Sequence, residues 1–337
     1  MTLINRSPVR ISFGGGGTDL ASYYEKHDGV VVSAAINKYI YTILEMRLDD
    51  RIQIISSDLQ LNQTVSDAYH LKFGEGLDIP VAVLKHFNVQ RGLNIFMASE
   101  IPPGTGLGSS GAVTVNMINT INALERLKMS KQEMAELAYN IEFHELGMPI
   151  GKQDEYASAF GGINFIRFNR DGTAEVEPLK IPREVKIRLE SDIMLFFTGR
   201  TRESSKILRS QDRSTKEQSE KVVESLHTIK QVAFDVKKAI ESGDLVEFGR
   251  LLDHSWQTKK NLANGITNPR IDRLMNIAKK SGALGGKLTG AGGGGYMMLF
   301  CEKANQKAVT KALVAEGLSP LDFHFDKKGV TVINGDD

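Results

Sequence analysis

The sequence predicts an α+β chain. Up to about residue 100, β-branched and alternating apolar runs dominate, and beyond residue 109 apolar residues recur mainly at helical spacing. Strands gathered first and helices afterwards favour a layered α+β arrangement over a regular βαβ alternation. Glycine clusters at 14–17, 104–111 and 290–295 each stand at the end of a strand-like run. One cluster of this kind is a packing device; three call for backbone that must approach something closely.

The chain has 337 residues, a length of roughly two domains. With 41% hydrophobic and 25% charged residues it can bury a sizeable core. Lys and Arg number 42 against 41 Asp and Glu, and a formal charge of +1 argues against a nucleic-acid surface. Cys301 is the only cysteine, which excludes an internal disulfide and a cysteine-rich zinc site. No secretory leader pattern and no bilayer-length apolar run stand out, so a cytoplasmic protein with no membrane partner is expected.

Taken in order, residues 4–13 alternate as a strand and break into Gly14-Gly15-Gly16-Gly17-Thr18-Asp19. Arg10 sits on that strand just before the turn. Residues 30–46 are rich in β-branched and aromatic side chains and predict a strand; 51–56 and 63–66 predict shorter ones, and 79–87 a short helix. Residues 93–101 predict a strand leading into Pro102-Pro103-Gly104-Thr105-Gly106-Leu107-Gly108-Ser109-Ser110-Gly111-Ala112. Helices are expected near 109–127 and 130–146, the second stopped by Gly147 and Pro149. Strand 162–168 and a turn follow. The pattern weakens around 178–182, where a domain boundary is placed: 1–180 and 181–337. Beyond it come strand 192–198, helices 214–241, 244–263 and 269–281, strand 296–301, helix 304–316, and strands near 321–326 and 329–333.

The loop at 102–112 organises the chain. A glycine turn between a strand and a helix start offers free N–H groups and the positive end of a helix dipole, which suits phosphate. The ordinary alternative is a tight turn with Ser109 or Ser110 as helix cap. Residues 106–111 satisfy G-x-G-x-x-G, but no strand ending in an acid follows, and Glu125 lies within helical periodicity. Residues 290–295 satisfy it too, but a strand comes next. Gly286-Lys287 is followed by Leu288, so a P-loop fails. His144 has no second histidine at zinc spacing and reads as a solvent or capping residue. Glu142, near a helix end with apolar neighbours, and Asp154 are the candidate acids. Arg200, Arg202 and Lys206 form a basic, hydroxyl-rich loop that either holds a second anion or is a solvated charged face.

Three separated motifs resemble one family, the GHMP kinases. Pro8-Val9-Arg10-Ile11 into Gly17-Thr18-Asp19, the loop 102–112, and residues 287–295 match its motifs in order over nearly the whole chain. The resemblance implies a two-domain GHMP kinase fold, with an N-terminal half like ribosomal protein S5 domain 2 and a ferredoxin-like C-terminal half. It implies ATP and Mg²⁺ as cofactors, with Pro103, Gly104, Thr105, Gly106, Leu107, Gly108, Ser109, Ser110 and Gly111 binding ATP. Ser110 and Glu142 would hold the metal, Asp154 would act as base, and Arg10 would keep it ionised. Gly16, Gly17, Thr18 and Asp19 would bind the sugar, Gly292 and Gly293 would wrap the ligands, and Arg200 and Arg202 would reach a remote phosphate.

Galactokinases carry an acid and a histidine where this chain has Gly16 and Gly17. That departure, and the run 151–162, look like the bacterial D-glycero-D-manno-heptose 7-phosphate kinases, which phosphorylate the anomeric hydroxyl. Glu155 stands where those usually have glutamine. The partner implied is a small-molecule sugar phosphate, the protein being a monomer or homodimer. A fucose- or galactose-type kinase, or a catalytically silent sugar–ATP sensor, remains open at this point.

Overall fold

The computed structural model describes residues 2–201, 204–217 and 219–333. Its spine is a pair of long antiparallel strands, β1 (Thr2–Gly14) and β2 (Gly29–Met46). The pairing shifts register between Pro8 and Val9, where proline cannot donate to the ladder, and again between Ser12 and Gly14. β2 is long enough to serve two further partners. Its first half pairs with β6 (Ile163–Phe168) and its second with β5 (Leu93–Ser99). β3 (Ile52–Ser56) lies parallel to β5, and β4 (Leu61–Val65) and β7 (Ala174–Pro178) form the outer strands. The last strand of the chain, β12 (Thr331–Ile333), returns to this eight-stranded sheet and pairs with β1.

Helices cover the sheet. α3 (Ser109–Glu125) is buried along most of its length and tied to β1: Asn5 Nδ2 donates to Asn116 O (2.9 Å) and Ser7 Oγ to Ala112 O (2.6 Å). α4 (Lys131–Asn140) starts with a capping box, Ser130 and Glu133 satisfying each other's backbone N–H groups. The helix expected over 130–146 changes character at its end. Residues Ile141–Glu145 form a π turn, a widening common at functional sites. α1 (Ala21–His27), α2 (Asp78–His86) and α5 (Gln153–Phe160) complete this half.

In the second half β8 (Ile193–Phe197), β9 (Gly285–Leu288), β10 (Tyr296–Phe300) and β11 (Ser319–Leu321) form an antiparallel sheet in the order β11-β8-β10-β9. α7 (Ser204–Lys216), α8 (Glu220–Ser242), α9 (Leu245–Lys259) and α10 (Pro269–Lys280) fall between β8 and β9, and α11 (Gln306–Ala315) follows β10. This is the ferredoxin-like order, fourth strand beside the first and third beside the second. α6 (Arg183–Asp192) links the halves. An aromatic column joins them too: Phe13 of β1 meets Phe248 of α9 edge-on at 5.3 Å, and Phe248 meets Phe300 of β10 at 5.4 Å. Among the described residues no helix is long and apolar enough to cross a membrane.

Candidate active site

The loop after β5 is held by its glycines. Gly104, Gly106 and Gly108 have φ of +73°, +81° and +77°, values that other residues adopt only with strain. Gly108 opens α3 in this left-handed conformation, and no side chain caps the helix start, which leaves its first N–H groups without intrahelical partners. Thr105 Oγ1 closes the turn on Pro102 O (2.9 Å), and β1 clamps it: Arg10 N donates to Leu107 O (2.9 Å) and Arg10 Nη1 to Gly106 O (2.7 Å). Pro103, Gly104, Gly106, Gly108, Ser109 and Ser110 face a cavity of about 820 Å³. Thr105 and Leu107 are buried behind it.

Asp154, in the first turn of α5, is drawn against this loop. Arg10 Nε and Nη2 both bond its Oδ1, at 2.8 and 2.6 Å. No described residue bonds Oδ2. A Cβ on Gly108 would lie 3.1 Å from that oxygen, and one on Gly111 would lie 2.9 Å from Asp154 Cβ. Gly111 therefore lets α3 and α5 approach, and Gly108 keeps room beside the carboxylate.

The turn after β1 supplies the neighbouring wall. Thr18 Oγ1 accepts from Val30 N and lies within hydrogen-bond distance of Gly15 O and Val30 O, which compete for its one proton, so Thr18 builds the turn rather than facing the cavity. Asp19 is buried and accepts from Gly17 N (2.8 Å), Gln153 N (3.4 Å) and Gln153 Nε2 (3.2 Å). Burial raises its pKa, the Gly17 N–H opposes this, and the charge of Asp154 adds to the rise. Ser12 Oγ, Gln153 Oε1 and Gln211 Nε2 are buried without a partner among the described residues, and all three residues line the cavity with Gly16 and Gly17. Three unused polar groups around a glycine ribbon suit a ligand rich in hydroxyls.

The π turn carries Glu142 into the interior beneath α3. Thr114 Oγ1 donates to Glu142 Oε1 at 2.6 Å, while Oε2 has no partner at hydrogen-bond distance among the described residues and the Ser110 hydroxyl stands near the carboxyl. Burial pushes this carboxyl up to about 7; the Thr114 hydroxyl opposes the rise and the Asp154 charge adds to it. Glu155 is also buried, and burial, then the charges of Glu142 and Asp154, raise its pKa well above the usual range. Among the described residues no group of three His, Cys, Asp or Glu is disposed to hold a metal. One buried carboxylate with a spare oxygen beside the loop hydroxyls fits Mg²⁺, which takes few protein ligands and keeps phosphate oxygens as the rest.

Other residues singled out in the sequence fall elsewhere. His144 is exposed, as expected. Gly290 and Ala291 line the cavity, whereas Gly292 and Gly293 do not. The close approaches of the third glycine cluster are to protein: a Cβ on Gly292 would lie 2.7 Å from Ile266 O, and one on Gly295 2.1 Å from Thr105 O. Arg200 is exposed and off the cavity wall, its carbonyl accepting from Gly295 N (2.9 Å); Arg202 lies outside the described residues. Ser12, Gln153 and Gln211 have no role in the sequence reading, and Lys287 appears there only as a failed P-loop lysine and as the first residue of the third glycine motif. Gln153 had one usable signal, adjacency to Asp154; a serine in a strand and a lone glutamine in a helix carry none.

A phosphate cradle, an ion-paired carboxylate with one oxygen unspent, and a polar wall for hydroxyls share a single cavity, which is how a phosphotransferase brings donor and acceptor together. Known proteins narrow that class. Residues 76–162 match the family model for the GHMP kinases N terminal domain, and 236–318 that for the GHMP kinases C terminal. The chain belongs to the GHMP kinase family and is an ATP-dependent sugar kinase. It is similar to D-glycero-alpha-D-manno-heptose 7-phosphate kinase of Campylobacter jejuni, 34% identical over 98% of each chain. L-fucokinase/L-fucose-1-P guanylyltransferase of Bacteroides fragilis is 28% identical over 92% of this chain and 36% of its own. Among solved structures, a D-glycero-D-manno-heptose 1-phosphate kinase from Bacteroides thetaiotaomicron superposes with a TM-score of 0.83, 28% identity and coverage of 98% and 99% of the two chains.

Proposed function

We propose that the chain transfers the γ-phosphoryl group of ATP to the anomeric C1 hydroxyl of D-glycero-D-manno-heptose 7-phosphate, giving the 1,7-bisphosphate and ADP. The observation that carries the chemistry is the division of labour on Asp154: Arg10 occupies Oδ1, and Oδ2 is left for a proton. The heptose 7-phosphate acceptor is supported by the Campylobacter jejuni relative, which aligns over 98% of each chain.

The C1 hydroxyl oxygen bonds to the γ-phosphorus as the bond to the β–γ bridging oxygen breaks. ADP leaves with that electron pair, and the hydroxyl proton passes to Asp154 Oδ2. The loop amides and the start of α3 hold the donor phosphates. The apolar end of the cavity, with Leu59, Phe73, Ile79, Pro80 and Met97, takes the nucleoside. Ser110 and Glu142 would hold Mg²⁺, which when bound offsets phosphate charge. Asp19, Gln153, Gln211 and Ser12 meet the sugar hydroxyls. Arg10 couples the two halves, since the guanidinium that orients the base also grips Gly106 of the phosphate loop. Catalysis is then positioning and charge placement more than covalent chemistry.

A panel of heptose 7-phosphate, fucose, galactose and no sugar, assayed for ADP with ATP and Mg²⁺, tests the reading. Turnover with the heptose phosphate and a product phosphorylated at C1 is expected. Preference for fucose or galactose would overturn the acceptor, and no sugar-dependent ADP would favour a silent sensor.

A further inference from the structure

Lys287 is a buried lysine that no acid faces among the described residues. It stands in β9, where alternation sends Leu288 into the C-terminal core and turns Lys287 toward the cavity that holds Asp154. Its side chain is 3% exposed, and among the described residues no carboxylate or carbonyl pairs with it. The charged groups that bear on it are Lys259 and Arg10, both cations, and with burial they drive its ammonium well below its usual pKa. Lys259 is itself positioned, its Nζ donating to Gly290 O on the same wall. A buried, unpaired lysine on a cavity wall gains its charge and its partner together when a ligand brings an anion.

Resting on the reading of a phosphorylated acceptor, we propose that Lys287, with Lys259 beside it, forms the subsite for the acceptor's own phosphate. The donor phosphates already have the loop amides and the start of α3. Lys287 and Lys259 line the cavity from β9 and α9 of the second half of the chain, whereas the loop and helix start that hold the donor phosphates line it from the first half. An anion at Lys287 is therefore assigned to the acceptor's own phosphate rather than to the donor. A phosphate dianion supplies the charge that the pocket lacks and restores the ammonium. Arg200, the sequence-level candidate for this task, is exposed and outside the cavity.

The test uses full-length K287M, whose side chain keeps the length and burial of lysine, and K287R, which keeps the charge. With MgADP filling the nucleotide site, inorganic phosphate is titrated into each protein. Wild type and K287R should bind it, and K287M should bind at least roughly tenfold more weakly, the scale of one lost charge-assisted bond. In turnover, K287M should raise KM for heptose 7-phosphate by a similar factor and leave the affinity for MgATP unchanged. Equal phosphate binding by wild type and K287M, or weaker MgATP binding in K287M, would overturn the subsite. If wild type turns over no heptose phosphate, the acceptor reading fails, and the phosphate titration still decides the subsite. If K287M does not fold, loss of phosphate binding in K287Q, with MgADP binding retained, decides in its place.

Discussion

Arg10 holds Asp154 by one oxygen only: Nε and Nη2 both converge on Oδ1, and Oδ2 is left to the cavity. The guanidinium fixes the carboxylate plane without consuming the atom that must take the proton. Replacing Asp154 with Asn keeps the shape and removes the basic oxygen. Turnover should fall by roughly 10²-fold or more, with MgATP affinity unchanged in a titration. Wild-type turnover in D154N would assign the base elsewhere.

Arg10 also donates from Nη1 to Gly106 O, so it joins base and phosphate loop through one planar group. Lysine has one nitrogen and cannot span both. R10K should retain only part of the turnover, R10M should lose more, and both should weaken nucleotide binding. A titration of MgATP alongside the kinetics separates the two contributions.

Gly111 sets the distance between α3 and α5. An added methyl would lie 2.9 Å from Asp154 Cβ and 3.0 Å from Glu155 N, so α5 must retreat. Displacing a reacting group by about 1 Å costs on the order of 10²-fold in rate. G111A should therefore lose turnover far more than nucleotide affinity, and a crystal structure should show α5 shifted away from α3.

The buried carboxyls give the metal-free protein a pH signature. Glu142 binds its proton with a pKa of about 7 in the fold against an ordinary 4.5, so the folded state favours the protonated form. Its contribution is fully present below 4.5 and is lost as pH rises through about 7. Asp19 and Glu155 shift in the same direction. The Tm without metal or nucleotide should fall between pH 5 and pH 8, and E142Q should flatten part of that fall. MgATP should raise Tm most at the alkaline end.

Glu155 departs from the glutamine usual in heptose 7-phosphate kinases, and the fold explains why the departure is tolerated. Its burial and the charges of Glu142 and Asp154 push the carboxyl well above the usual range, toward the neutral form that glutamine matches in shape and hydrogen bonding. E155Q should keep turnover within about threefold, since such surroundings already treat the side chain as neutral. It should also raise Tm at pH 8, a shift that calorimetry will read.

The parts legible in the sequence are those fixed by local pattern. β1, β2, the glycine loop and α3 follow from alternation, helical spacing and turn chemistry, and the ion pair of Arg10 with Asp154 follows from family motifs. Elements whose signal is not local were missed. β9 is four residues with two glycines, and its strand character comes from pairing with β10. α6 is largely charged and buries only Leu189 and Asp192, and β7 is a short outer strand with few buried residues. The helical run at 130–146 gave no hint of the π turn that points Glu142 inward. Lys287 enters the sequence reading only as a failed P-loop lysine and as the first residue of the third glycine motif, and only the tertiary fold buries it beside Lys259 and Arg10.

The pairing of β12 with β1, Ile4 opposite Ile333, has a consequence for synthesis. The strand that bears Arg10 leaves the ribosome long before the strand that covers its outer edge. Until residues 331–333 emerge, that edge presents unpaired backbone, an invitation to misassociation with other nascent chains. Sealing of the catalytic sheet waits on a strand separated from β1 by both halves of the fold.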